Sequence, residues 1–249
     1  MKYGVKSSAS SEAVIVRQNI ASKLRQSEIP DAELLQNLGL YMDRMSFSRY
    51  MLIQTLYEKI VNVSGSILEF GVRWGQNMAL FNIMRGIYEP YNYTRKVIGF
   101  DTFSGFVSVE DGKDSANVHS GDYNVAEGWK TTLEELLAFH ETQSPLPHIR
   151  KWELVEGDAT ITFPEYLDTH PELIVAMAYF DFDVYSPTKR CLELILPRLT
   201  KGSLLVFDEL NCPEFPGETT ALQEVLGTSN IALSRDPHNP YVAWAVWGA

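Results

Sequence analysis

The chain has 249 residues, of which 45% are hydrophobic and 21% charged, enough to bury a sizeable α/β core without disulfides or structural metals. Its formal net charge of −11 argues against sequence-independent binding to nucleic acid or to an anionic membrane, since both need basic patches. No apolar run reaches the roughly 18 residues of a membrane helix, and the start Met1-Lys2-Tyr3-Gly4 lacks the apolar core of a signal peptide, so a cytoplasmic protein is expected.

Residues 1–64 read as an arm and a helical cap. The first dozen residues are small and polar, including Ser7-Ser8-Ala9-Ser10-Ser11. Ile15, Ile20 and Leu24 then recur at helical spacing, Pro30-Asp31 restarts a helix, and Met51, Leu52, Thr55, Leu56 and Ile60 form another apolar stripe. Stripes of this kind become core or subunit interface, and a homo-oligomer is expected.

Residues 65–249 read as a second unit, in which short apolar strands alternate with helices. Strands are expected at 66–71, 96–101, 152–157, 173–183 and 202–208, with helices at 75–88, 164–169, 187–199 and 218–226. Two closing strands, 231–234 and 241–247, flank the Pro237 and Pro240 turns. The alternation implies parallel strands with crossover helices on both faces of a doubly wound sheet. The last connection is too short for a crossover, so the closing pair should form an antiparallel hairpin near the sheet edge. The expected fold is therefore α/β: a mostly parallel, seven-stranded, Rossmann-like sheet with the outline of a class I methyltransferase. Residues 103–150 form a long insert, rich in Gly, Asp and Asn between Val109 and Trp129, with one helix near Leu133 to His140. It reads as a lid on the substrate side.

In such a sheet, ligands bind beyond the carboxyl ends of the strands, where strand order reverses. The first strand ends at Glu69-Phe70-Gly71, and Gly75 opens the next helix. Gly71 allows close backbone approach to a ligand, and Gly75 a tight helix entry. The turn is not the G-x-G-x-x-G of dinucleotide enzymes. Glu69 ends an apolar strand, where a carboxylate needs a cation or several donors. The ammonium of S-adenosylmethionine is one such partner, and Arg73 or a loop amide is the alternative. Asp101 ends the second strand and can accept from both ribose hydroxyls, a device shared with NAD enzymes. Asp158, after the third strand, either accepts from the adenine amine or caps the following helix. The candidate cofactor residues are Glu69, Phe70, Gly71, Arg73, Asn77, Asp101, Thr102, Phe103, Ser104, Gly157, Asp158, Ala159 and Asp181.

Acidic residues gather at the later strand ends. Asp181 and Asp183 lie two apart, so a continuing strand would point both to one face, and Asp208-Glu209 follows the fifth strand. Carboxylates sharing a site raise one another's pKa unless a cation sits among them, and hard oxygen ligands suit Mg²⁺. Helix capping by one or two of these acids is the alternative.

Leu68-Glu69-Phe70-Gly71-Val72, Asp101-Thr102-Phe103-Ser104-Gly105-Phe106, Asp181-Phe182-Asp183-Val184-Tyr185-Ser186-Pro187-Thr188 and Phe207-Asp208-Glu209 together resemble the macrocin O-methyltransferase family. The likeness spans about Gly65 to Leu226, and D-x-D-x-Y-x-x-T is its most specific part. It implies a class I, Mg²⁺-dependent O-methyltransferase acting on a sugar hydroxyl of a glycosylated natural product. It also implies Asp181, Asp208 and Glu209 as metal ligands and Asp181 or Asp183 as general base. The chain departs from the family's pattern at Glu209, where Asp is usual, and at Phe182, where Gly is usual. Glu209 is long enough to reach a metal, and Phe182 reshapes the acceptor pocket.

Among other residues, His119 in the lid is a candidate proton shuttle, and Phe106, Tyr123 and Trp129 can stack on a sugar or aglycone. Cys191 and Cys212 match no metal-ligand spacing and are expected to be reduced thiols. Alternatives left open are a catechol or other small hydroxylated acceptor, an NAD-binding oxidoreductase, and a non-catalytic scaffold.

Overall fold

A computed structural model describes residues 10–248, so most of the expected polar arm lies outside the described residues. Helix α1 (Ser11–Arg25) is capped by Ser10, whose side chain accepts from the Ala13 N–H, and none of its residues is buried. Arg17 ties it to Asp43 at 3.0 Å. Helix α2 (Asp31–Leu34) follows Pro30 and tightens into a 3₁₀ turn, Leu35–Tyr41. In α3 (Arg44–Ile60), Asp43 caps the Ser46 N–H, and Leu52, Ile53, Leu56, Tyr57 and Ile60 bury one face.

The remaining elements are β1 (Ser66–Phe70), α4 (Gln76–Tyr88), β2 (Val97–Asp101), α5 (Trp129–Thr142), β3 (Trp152–Glu156), α6 (Ala159–Thr169), β4 (Val175–Phe180), α7 (Tyr185–Ile195), β5 (Leu199–Phe207), α8 (Gly217–Val225), β6 (Leu233–Arg235) and β7 (Ala243–Val246). They build one seven-stranded sheet in the order β3-β2-β1-β4-β5-β7-β6. β1 lies parallel to β2 and to β4, so strand order reverses between β1 and β4. β7 runs antiparallel to β5 and β6, giving the expected edge hairpin.

Alternation along each strand feeds two cores. Ile67, Met177, Tyr179, Leu204 and Val206 pack under α3, α4 and α5. Leu68, Phe70, Ala178, Phe180, Leu205 and Phe207 pack under α6, α7 and α8. At the carboxyl ends of the inner strands, Phe100, Phe70, Phe180 and Phe207 align across the sheet. Their rings stack at 5.3, 5.0 and 5.1 Å between centroids. Each ring is fully buried, and truncating one to Ala should cost ~3–5 kcal/mol.

Two elements differ from the sequence expectation. β4 stops at Phe180 rather than running to residue 183, because the chain turns there and Asp183 takes a left-handed φ of 63°. Helix α6 begins at Ala159, not near residue 164: Asp158 caps it by accepting from the Thr160 N–H, and Pro164 sits inside with one helical hydrogen bond fewer. Cys191 and Cys212 are buried and free. No helix among the described residues is long and apolar enough to cross a membrane.

Candidate functional site

The aligned phenylalanines set the site. Sheet hydrogen bonding continues past them: Gly71 N–H donates to Phe100 O at 2.9 Å, Asp181 N–H to Phe70 O at 2.8 Å, and Asp208 N–H to Phe180 O at 2.9 Å. Gly71, Asp101, Asp181 and Asp208 therefore stand side by side at the strand ends, over an aromatic floor. Above them opens a cavity of about 370 Å³.

One half of its rim is the β1–α4 turn. Gly71 has φ 97°, and a Cβ there would lie 2.0 Å from the Asp181 carbonyl oxygen, so only glycine fits. Asp101 holds the turn together: one carboxylate oxygen accepts from Val72 N–H at 2.7 Å and Arg73 N–H at 2.8 Å, and the other accepts from Phe103 N–H. Glu69 is 1% exposed. Burial pushes its pKa well up against a hydrogen bond from Asn77, and its Oε2 is buried without a partner. Arg73, the alternative partner, instead lies over the Tyr123 ring at 4.7 Å. A buried carboxylate oxygen with an unused acceptor site, in a residue that lines the cavity, fits a cationic ligand group.

The other half of the rim is acidic. One oxygen each of Asp181, Asp208 and Glu209 lie within 4.8 Å of one another. Burial, then Asp208 and Asp183, push Asp181 well above the carboxylate range. Burial, then the same two neighbours, do so for Glu209, whose Oε2 has no partner. Burial first, with Asp208 adding, raises Asp183 to about 7. Asp208 is the exception: against its burial, the Arg49 guanidinium holds it below the usual range. Arg49 grips it with both terminal nitrogens, one at 2.9 Å, and the Tyr179 hydroxyl donates to it as well. Glu218, fully buried behind the cluster, accepts backbone N–H groups from Phe182, Asp183 and Glu209. Crowded carboxylates with spare oxygens are a donor set that a hard divalent cation fits.

The insert contributes Phe106, Val107 and Tyr123 to the cavity wall and is tied to the α7–α8 side. Asp114 accepts from the Tyr185 N–H at 2.8 Å, and Lys113 pairs with Glu224. Lys189 and the Tyr185 hydroxyl share the same carboxylate, with Lys189 at 2.8 Å. Phe106 stacks on Tyr123 at 5.1 Å, and Trp129 donates to the Trp74 carbonyl at 3.3 Å.

Of the candidates read from sequence, Glu69, Gly71, Arg73, Asn77, Asp101, Thr102, Gly157, Asp158, Ala159, Asp181, Asp183, Asp208 and Glu209 line the cavity. Phe70 does not: it lies in the floor, fully buried. Phe103 packs toward the α3–α5 core, and Ser104 donates its N–H to Thr102 at 3.1 Å. Asp158 caps α6 and also reaches the cavity wall. His119 is exposed and away from the lining. Arg49 and Glu218 escaped the sequence reading. Arg49 was detectable as a cation three and four residues before Leu52 and Ile53, on the buried face of α3. Glu218 looked like an ordinary first-turn acid favouring the helix dipole.

No family model and no curated protein matches the chain. Solved structures do. The crystal structure of CalS11, a calicheamicin methyltransferase, superposes with a TM-score of 0.94 at 39% identity, over 99% of this chain and 98% of that one. The apo structure of CalS11, described as a TDP-rhamnose 3′-O-methyltransferase in calicheamicin biosynthesis, gives 0.87 at 38% identity over 98% and 97%. The O-methyltransferase NovP gives 0.58 at 20% identity over 81% and 80%, a likeness of fold.

Proposed function

The chain is an O-methyltransferase of the macrocin O-methyltransferase-like family of sugar O-methyltransferases, and from that premise we propose that it methylates a sugar hydroxyl in natural-product biosynthesis, using S-adenosylmethionine and a divalent cation, with Mg²⁺ the best match. The observation that carries the reading is the pairing, on one cavity, of the unpartnered Glu69 oxygen with the Asp181–Asp208–Glu209 triplet.

S-adenosylmethionine supplies an electrophilic methyl group, and a divalent cation stabilises negative charge on an acceptor oxygen beside it. The protein's residues do the rest. Glu69 receives the ammonium with its free oxygen, helped by Asn77. The Gly71–Arg73 backbone passes close to the ligand. Asp101 keeps that turn rigid and offers its remaining acceptor capacity to ribose, as Thr102, Gly157, Asp158 and Ala159 line the nucleoside end. Asp181, Asp208 and Glu209 hold the cation. Asp183, outside that triplet and raised to about 7, is the group that would take the proton of an acceptor hydroxyl as the cofactor's methyl group is transferred to its oxygen. Tyr123, Phe106 and Phe182 offer rings against which a sugar can stack.

The test is to incubate the purified chain with S-adenosylmethionine and TDP-rhamnose, the acceptor named for CalS11, and look for a monomethylated product. Product formed with Mg²⁺ and lost in EDTA supports the reading, whereas turnover undiminished in excess EDTA removes the cation from it. We also propose a homo-oligomer, since Ile15, Leu35, Leu40 and Phe47 of the N-terminal segment are exposed; light scattering after gel filtration decides that.

A further inference from the structure

Glu218 lies in the first turn of α8, yet none of its surface is exposed. Its two oxygens serve different loops. Oε1 accepts from the Phe182 N–H at 3.1 Å and the Asp183 N–H at 3.2 Å, and Oε2 accepts from the Glu209 N–H at 3.2 Å. The first loop follows β4 and carries Asp181 and Asp183. The second follows β5 and carries Asp208 and Glu209. One carboxylate thus clamps both halves of the acid cluster from behind, without lining the cavity itself.

The residue type is informative. A carboxylate added behind a cluster of carboxylates is electrostatically unfavourable, and burial followed by Asp183 pushes its pKa up. An amide would avoid that cost, but only an ionised carboxylate offers acceptors on both oxygens; glutamine would turn a donor toward an N–H. Aspartate keeps the charge but is one methylene too short to reach both loops. The strained φ of 63° at Asp183 is held partly by this bond.

We infer that Glu218 is a positioning residue, which fixes the distance between the β4-end and β5-end carboxylates and so sets how tightly they hold a divalent cation and where the base meets the acceptor. The inference rests on the metal-assisted reading above.

It is tested on the full chain with E218Q and E218D. Mn²⁺ affinity is read by electron paramagnetic resonance and S-adenosylhomocysteine affinity by calorimetry, alongside Tm and the kinetics with TDP-rhamnose. A displacement of the carboxylates by about 1 Å should lower kcat about 10²-fold in E218Q. Mn²⁺ affinity should fall about 10-fold, as for other lost outer partners of metal ligands. S-adenosylhomocysteine affinity and the KM for S-adenosylmethionine should stay within about twofold, because the β1–α4 turn does not touch Glu218. E218D should show the same split, and it decides the matter if E218Q does not fold. Unchanged kcat and Mn²⁺ affinity in E218Q overturn the inference. So does full rescue by E218D, which would make charge rather than position the cause, and so does a parallel loss of Tm and S-adenosylhomocysteine affinity, the mark of a mere strut. If the wild type itself binds no Mn²⁺, the metal-assisted reading fails, and the split between kcat and S-adenosylhomocysteine affinity alone decides the role of Glu218.

Discussion

On the β1–β2 side of the cavity, Asp101 spends its oxygens on three backbone N–H groups, and the turn it holds is complete before any ligand arrives. On the β4–β5 side, Asp181, Asp183, Asp208 and Glu209 face one another, with Arg49 paired to Asp208 alone. The same fold thus places a turn whose backbone is already held beside a cluster whose charge is largely uncompensated. A cradle of backbone and glycine fixes where a ligand lies. A crowded acid cluster stores electrostatic repulsion that only a cation or a proton relieves. Substitutions on the two sides should therefore fail in different ways.

The sharpest contrast is Asp183→Asn. It should lower kcat about 10³-fold, as for loss of a general base, with S-adenosylhomocysteine affinity unchanged by calorimetry. Retained turnover would move the base to Asp181. Arg49→Met comes next. It leaves Asp208 buried without its counter-ion, so the metal-free protein should lose ~2 kcal/mol of stability, a fall in Tm of about 5 °C, part of which Mg²⁺ restores. An unchanged melting curve would mean that Tyr179 and solvent suffice for Asp208. On the cradle side, Glu69→Gln should weaken S-adenosylmethionine binding about 10-fold through the lost charge-assisted bond, yet leave the unliganded Tm equal or higher, since the buried charge disappears. A lower Tm would show Glu69 to be structural.

The smallest effect concerns the tie between the insert and α8. Hydrogen bonds from Lys113, Lys189 and Tyr185 lower the Glu224 pKa to about 2. Its contribution is complete above the ordinary carboxylate pKa and is lost as pH falls toward 2. Between pH 4.5 and 2.5 the wild type should lose more Tm than Glu224→Gln, by about a degree for so exposed a pair. Parallel melting curves would show that the insert is held by Asp114 and the aromatic contacts alone.

How much of this was legible in the sequence follows from which features are local. Strand and helix alternation is periodic, so the sheet, its edge hairpin and the helix expected near Leu133 to His140 could be read with boundaries a few residues out, although α5 packs on the sheet rather than over the site. Asp101 and Glu69 announced themselves as charges at the ends of apolar runs. The expected straight run to Asp183 missed a left-handed turn, which no periodicity encodes. Pro164 reads as a helix start because a proline inside a helix is locally unfavourable, and only the Asp158 cap and core packing override it. Arg49 and Glu218 could not be assigned to the acid cluster, because their partners lie 159 and up to 36 positions away along the chain. The phenylalanine floor is invisible for the same reason: each ring is an ordinary strand residue until register aligns all four.

Gly71 carries a consequence for how this enzyme can vary. Its missing Cβ is the space that the Asp181 carbonyl occupies. The cofactor turn and the loop bearing the acid cluster therefore meet backbone to backbone at one residue, and a side chain introduced there would disturb both. A mutational library aimed at a new acceptor gains nothing from position 71, where any side chain displaces Asp181 along with the turn. Val107 and Phe182 border the same cavity with no comparable constraint from glycine geometry, and there diversity can be introduced one position at a time.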